Sequence, residues 1–371
     1  MKLLIPGPVN THPAVRAAAA QDYAPWDNDF RPMNEDIRAR VLRIAGTGPA
    51  SHATLPIQGC GHFTIEAALR TFVAQDGRIL VPATGAYAER AVRLAREIGL
   101  DVVEMAVSSA ERADPAVLGA ALAADPAISH AVLVYSETGS GIVHDVPALA
   151  EAAAQEGRRV IVDAVSAFGA LPLDLGVLPM VDAMVFTANK CFEGLPGLAF
   201  AVARIDRLLA CRGRARSWSL DLADIYQHAL RVGWGSFRFT PPAQVLAAFQ
   251  VALDLFDAEG GQPARLARYT ANKDVLADGV RQLGLHAYLP AAVQGPIVFN
   301  VHAPDHSAWS LQAFVDALKR RGYLISNFYN TPEPSFRIGC IGAITPDDMR
   351  GAVAAMAEAL ADLGRTRAEA A

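Results

Sequence analysis

Between Arg78 and Val202 short apolar runs alternate with stretches of helical length, and that alternation narrows the possible folds more than any other feature of the chain. Arg78–Pro82, Asp101–Met105, His130–Tyr135, Arg159–Asp163, Val181–Phe186 and Gly197–Val202 read as strands, with helices expected over 86–98, 115–124 and 146–155. Strands this apolar must be covered on both faces, so an α/β fold with a mainly parallel sheet is expected. Upstream, Pro6-Gly-Pro8 punctuates an extended entry, and helices are read at Pro13–Ala20, Asn34–Ile44 and Thr64–Phe72. From Cys211 to Trp234 the pattern loosens into Arg-, Ser- and Trp-containing segments. A long helix over 245–258 ends at Gly260-Gly261, and a second alternation follows, closing with a helix over 346–363 and an Ala-rich tail after Gly364 that is expected to fray. A chain of 371 residues exceeds what one core usually holds. Two domains are expected: 1–260, the entry segment with a large domain, and 261–371, a smaller α/β domain.

Composition excludes several classes. With 52% hydrophobic and 19% charged residues the chain can bury a sizeable core. A net charge of −5 without a basic block argues against a nucleic-acid binder. Cys60, Cys191, Cys211 and Cys340 lie far apart, with no CxxC pair and no histidine at ligand spacing, so reduced thiols and no metal site are expected. The opening Met1-Lys-Leu-Leu-Ile-Pro6 is too short and too proline-broken for a signal peptide, and no run reaches the ~18 apolar residues of a membrane span. A cytoplasmic location follows as an expectation.

The chemistry is expected at the carboxyl ends of the parallel strands, where ligands sit in open sheets. Glu137 and Thr138 follow one strand; Asp163 closes the next, with Ser166 beyond it; Thr187 and Lys190 follow a third. A strand-end lysine either snorkels to water or serves as an amine held in an apolar pocket for imine chemistry. Asp163 alone reads equally as a cap; on one rim with Lys190 it can face a cationic ring nitrogen. Gly59-Cys60-Gly61-His62 opens a helix and offers bare N–H groups to one phosphate, the alternative being a packing turn. The third glycine of a dinucleotide fingerprint is missing at Thr64, and the Gly-Lys-Ser/Thr of a P-loop is absent. An amine, an acid and an anion site are what pyridoxal 5'-phosphate requires. Tyr87 starts a helix where its ring could stack on a flat group or simply join the core. Arg337 interrupts an apolar strand and calls for an anionic partner, a substrate group or an interdomain carboxylate.

These residues resemble the class V, fold-type I pyridoxal-phosphate aminotransferases. The likeness runs from residue 6 to 342, through Pro6-Gly-Pro8, Gln58-Gly-Cys-Gly61, Gly85-Ala-Tyr87, Ser136-Glu-Thr138, Ile161–Gly169, Asn189–Gly197, Phe237–Pro241 and Ser335–Gly342. It implies Lys190 as the Schiff-base lysine and proton carrier, Asp163 on the pyridinium, Tyr87 stacked on its ring, and Gly59, Cys60, Gly61 and His62 at the phosphate. Thr138, Ser166 and Thr187 would reach the cofactor, Thr240 would meet the phosphate across a homodimer interface, and Arg337 with Pro8 would stand on the substrate side. The activity implied is amino transfer from 2-aminoethylphosphonate to pyruvate. Elimination of ammonia from 1-hydroxy-2-aminoethylphosphonate and alanine–glyoxylate-type transamination are the alternatives. The chain departs from the family pattern at Cys60, His62, Gly139 and Ala167, and where Asn327-Phe-Tyr-Asn330 replaces a Tyr-Pro-Gly-Lys segment.

Overall fold

The protein was analysed as a computed structural model, which describes residues 1–305 and 309–368. Its strands in chain order are β1 (Lys2–Leu3), β2 (His52–Gly59), β3 (Arg78–Ala83), β4 (Asp101–Ala106), β5 (Ile128–Val134), β6 (Arg159–Asp163), β7 (Val181–Thr187), β8 (Gly197–Arg204), β9 (Val298–His302), β10 (Tyr323–Leu324) and β11 (Ser335–Gly339). Among the described residues the main sheet has seven strands in the order β2-β8-β7-β6-β5-β3-β4. Its ladders are parallel except those that β8 makes with β7 and β2. The expected α/β, mainly parallel architecture is therefore present.

β7 lies inside the sheet between β8 and β6, and every one of its residues is buried. Because side chains alternate across a sheet, Met184 and Phe186 enter one core layer while Ala183 and Val185 enter the other. The first layer is aromatic: Phe186 stacks on Phe200 at 5.0 Å, and Phe192 meets Phe249 edge-on at 5.7 Å and Phe256 at 5.2 Å. Phe192 lies two residues beyond Lys190, so this packing also anchors the turn that carries the amine. Phe192→Ala is expected to cost about 3–5 kcal/mol, measured as a fall in the denaturation midpoint at unchanged m.

At the opposite end of β7 the fully buried Asp182 accepts hydrogen bonds from Arg159 Nε at 2.7 Å and Arg207 Nε at 3.1 Å, and pairs with His130 Nε2 at 3.2 Å. This ties three strands together away from the reactive rim, and charge-assisted bonds offset its burial.

The helix over 222–232 corrects the reading of Cys211–Trp234 as irregular. Asp221 caps it, accepting from the Asp224 N–H at 3.1 Å, and Leu222, Ala223, Ile225, Tyr226 and Ala229 are buried at helical spacing. The terminal helix also runs to Ala368 rather than fraying at Gly364, while 369–371 lie outside the described residues. In the C-terminal half, the helix Gly261–Gln282 follows Gly260, whose φ of 113° suits glycine. A separate core forms there, joined by Leu4, because β1 pairs with β10. We propose Gly260 as the boundary between the two units.

Candidate active site

Lys190 sits on a turn just past β7, with its side chain buried. The turn is closed from within by the Gly194 N–H on the Ala188 carbonyl at 2.8 Å. It is clamped from outside by the helix Gly261–Gln282: Tyr269 Oη and Arg268 Nη2 each donate to Glu193 Oε1 at 2.7 Å. A Cβ on Gly7 would come within 2.6–2.8 Å of Lys190 Cδ, Cε and Nζ, so glycine there makes room for the amine. Burial lowers the Lys190 pKa to about 8, and the nearby Arg337 guanidinium works in the same direction. An amine with this pKa is largely nucleophilic in mildly basic solution. Its reaction with a small aldehyde is expected to rise with pH and level off above about 8, against ~10.4 for an ordinary lysine. Reductive alkylation followed by peptide mapping measures it.

Asp163 ends β6, the strand beside β7, so the parallel register brings its carboxylate to the same rim. Its Oδ1 accepts from the Val165 N–H at 2.9 Å. Burial raises its pKa to about 6, while that hydrogen bond, Lys190 and Arg90 oppose the rise. A carboxylate whose charge is unfavourable until a cation arrives suits a positively charged ring nitrogen.

Both groups line one cavity of about 160 Å³ with Cys60, Gly61, His62, Tyr87, Arg90 and Thr187. Cys60 is extended and, among the described residues, no side chain caps the helix Gly61–Phe72, so its first N–H groups face the cavity uncovered. Gly59 has φ 145° and a Cβ there would strike the Phe63 ring, while one on Gly61 would meet Val165 Cγ2 at 2.5 Å. Thr187 Oγ1 is buried with no hydrogen-bond partner among the described residues. An orphaned hydroxyl beside an uncapped helix start awaits an acceptor-rich ligand.

Thr138 and Ser166 share a hydroxyl hydrogen bond of 2.5 Å. Arg337, on β11 and 4% exposed, donates from Nη1 to the Thr138 carbonyl at 2.9 Å, and so reaches the same rim from the C-terminal half. Its positive charge helps to lower the Lys190 pKa, although it does not line the cavity itself. Pro8 is exposed, one residue past the Gly7 that abuts Lys190. Thr240 is exposed and stands apart, in a groove with Pro25, Trp26, Phe30, Phe239 and Pro241.

Glu137 proves more central than its place after β5 suggested. It is fully buried and accepts from the N–H groups of Gly139 at 2.9 Å, Tyr87 at 3.1 Å and Ala88 at 3.4 Å, so one carboxylate fixes the turn after β5 and the start of the Tyr87 helix. Burial pushes it up to about 7. Sequence reasoning also passed over Arg90, whose guanidinium lies 4.8 Å over the Tyr87 ring. An exposed helix arginine carries no signal that separates this role from solvation.

The described residues contain no group of three or more metal-ligating side chains, and no helix long and apolar enough to cross a membrane. The family model described as Aminotransferase class-V matches residues 25–316. The chain is 43% identical to the 2-aminoethylphosphonate–pyruvate transaminase of Burkholderia ambifaria (strain MC40-6) over 98% of its own length and 96% of that protein's. It is 42% identical to the enzyme of that name from Burkholderia pseudomallei (strain K96243), covering 98% and 97%. Among solved structures, pyridoxamine–pyruvate aminotransferase from Mesorhizobium loti superposes with a TM-score of 0.89 at 24% identity, over 98% of this chain and 93% of that one. A subgroup IV aspartate aminotransferase from Thermus thermophilus gives 0.86 at 24% identity, over 98% and 100%. At that identity the structural likeness speaks for the fold, which is the one expected.

Proposed function

Because this chain belongs to the class-V aminotransferase family, we propose that it transfers the amino group of 2-aminoethylphosphonate to pyruvate, giving phosphonoacetaldehyde and alanine, with pyridoxal 5'-phosphate as cofactor. The observation that carries the reading is the convergence of Lys190, Asp163 and the uncapped start of helix Gly61–Phe72 on one cavity. The curated relatives of that name, matched over nearly their whole length, supply the substrate pair.

The cavity fits such a cofactor. Gly61 and His62 would hold the phosphate at the helix N-terminus, Thr187 Oγ1 would gain the partner it lacks, and Asp163 would face the ring nitrogen. When bound, the cofactor supplies an aldehyde that takes up the amino group and a cationic ring that accepts the electrons released at the substrate carbon. The chain supplies the rest. Lys190 Nζ, its pKa brought near 8 by burial, would take the proton from the amine-bearing substrate carbon and return it to the carbon on the other side of the amino nitrogen. Tyr87, held by Glu137 at its backbone N–H and by Arg90 at its ring, bounds the cavity wall. Arg337 receives the phosphonate in one half-reaction and the carboxylate in the other. We place the working unit as a homodimer in which Thr240 of each protomer reaches its partner's phosphate site. The exposure of Trp26, Trp218 and Phe239 around Thr240 supports a covered face there.

A second reading rests on His62, which lines the cavity. With a hydroxyl on the phosphonate-bearing carbon, His62 could protonate it as water leaves. The enamine would then take up water and release ammonia, again giving phosphonoacetaldehyde. Product analysis separates the two. Transamination predicts phosphonoacetaldehyde and alanine in equal amounts from 2-aminoethylphosphonate only with pyruvate present. Multiple turnovers of 1-hydroxy-2-aminoethylphosphonate to phosphonoacetaldehyde and ammonia without any keto acid, with no such turnover of the unhydroxylated substrate, would reverse the assignment.

A further inference from the structure

Glu137 ties two remote stretches of the chain together, and both lead to Arg337. The carboxylate is fully buried. Its Oε1 accepts from the Gly139 N–H at 2.9 Å, and its Oε2 from the Tyr87 N–H at 3.1 Å and the Ala88 N–H at 3.4 Å. The helix Ala86–Glu97 is preceded by Gly85, which has no side chain to cap it. Glu137 therefore satisfies the orphan donors of that helix from the end of another element. A Cβ on Gly85 would lie 2.8–3.2 Å from Glu137 Cγ, Cδ and Oε2, so glycine leaves room for the carboxylate where it caps.

Both arms of this tie end on the guanidinium. Arg337 Nη1 donates to the carbonyl of Thr138, the residue after Glu137, at 2.9 Å. The Tyr87 side chain hydrogen-bonds the same guanidinium, from the helix start that Glu137 caps. From its own half of the chain Arg337 meets Ser326 Oγ at 3.2 Å and the Phe328 ring at 4.7 Å, and Asn330 at 2.8 Å once that amide is turned. Tyr87 and Thr138 are thus the contacts that locate the guanidinium against the rim of Lys190 and Asp163, and Tyr87 lines their cavity. Glu137 also acts on Arg337 through its negative charge, which favours the protonated guanidinium. Removing that charge alone would strengthen anion binding, whereas losing the positioning would weaken it.

We infer that Glu137 is the positioning residue of the anion site: one carboxylate, accepting at both oxygens, sets the Tyr87 side chain and the Thr138 carbonyl that seat the Arg337 guanidinium. This assignment takes Arg337 as the anion site of the proposed reaction and adds what holds it in place. A glutamine cannot reproduce the tie, because its amide nitrogen would turn N–H against a backbone N–H. Either the helix start or the turn at Thr138 must then give way.

Binding of ethylphosphonate, the proposed donor without its amine, to the cofactor-loaded enzyme at one fixed pH tests this without turnover, with calorimetry as the readout. Glu137→Gln is expected to weaken binding about tenfold, the worth of one charge-assisted hydrogen bond to the anion. Arg337→Ala is expected to weaken it by about thirtyfold or more. Adding Glu137→Gln to that variant should cost nothing further, since the group that Glu137 positions is gone. A purely structural role would lower binding alike in both backgrounds. Tyr87→Phe keeps the ring and its packing, and should weaken binding about threefold beside Arg337 and not at all without it. Thermal melting establishes which variants fold. Unchanged or tighter binding by folded Glu137→Gln, or a loss that persists without the guanidinium, overturns the inference and leaves the function untouched. Wild-type binding by Tyr87→Phe overturns it even where Glu137→Gln fails to fold. If Arg337→Ala itself binds ethylphosphonate as well as wild type, the anion site is misplaced, and the substrate reading falls with it.

Discussion

Lys190→Ala is expected to lower turnover of 2-aminoethylphosphonate with pyruvate by about 10⁴-fold, the upper range for a positioned proton carrier. The residue stands alone in that role: it is the amine on the cavity wall, and Gly7 and the Glu193–Arg268–Tyr269 clamp hold it there. Folding should survive, because the substitution removes an amine whose protonated form burial disfavours. The cofactor should still enter, held by Asp163 and the start of helix Gly61–Phe72, but should come away on denaturation rather than remain attached to the chain. Ethylamine should restore part of the rate, since the truncated side chain leaves room for it, whereas Lys190→Arg should be inactive and beyond such rescue. The comparison separates lost chemistry from lost structure. Turnover of the alanine variant within tenfold of wild type would remove Lys190 from the mechanism.

Why could that lysine be found in the sequence while the Arg337 surroundings could not? Neighbouring parallel strands deliver their ends to one rim, so Asp163 closing one apolar run and Lys190 following the next are legible as neighbours without coordinates. Strands buried on both faces must be apolar throughout, which made β5, β6 and β7 visible to within two residues at each end. The helix over 222–232 escaped because tryptophans and arginines flank it, although its capping aspartate and buried spacing were present. Arg337 was legible as a charge in an apolar strand. Its partner was not, since Thr138 is 199 positions away. The departures at Gly139 and 327–330 were each visible, but their contact is a fact of folding alone.

Asp163→Asn is expected to act in opposite directions on the cofactor-free and cofactor-loaded protein. In the free protein burial raises this carboxylate to about 6, against the ordinary aspartate value near 3.9. Between those two values the unfolded chain gives up the proton first, so stability falls as pH rises through that window. Above about pH 6 the full penalty applies, of order 3 kcal/mol. Asparagine has no charge to strand, and the cofactor-free variant should therefore melt a few degrees higher than wild type at pH 7.5 and no higher at pH 4. With cofactor bound the order should reverse, because wild type gains a carboxylate paired with a cationic ring nitrogen and the variant gains only a neutral amide. Turnover should fall by about 10²–10³-fold, as when a preorganised charge partner is removed. Parallel melting curves with and without cofactor, at both pH values, read the sign directly. A variant destabilised by the same amount in all four conditions would make Asp163 a strand-end cap for the Val165 N–H and nothing more.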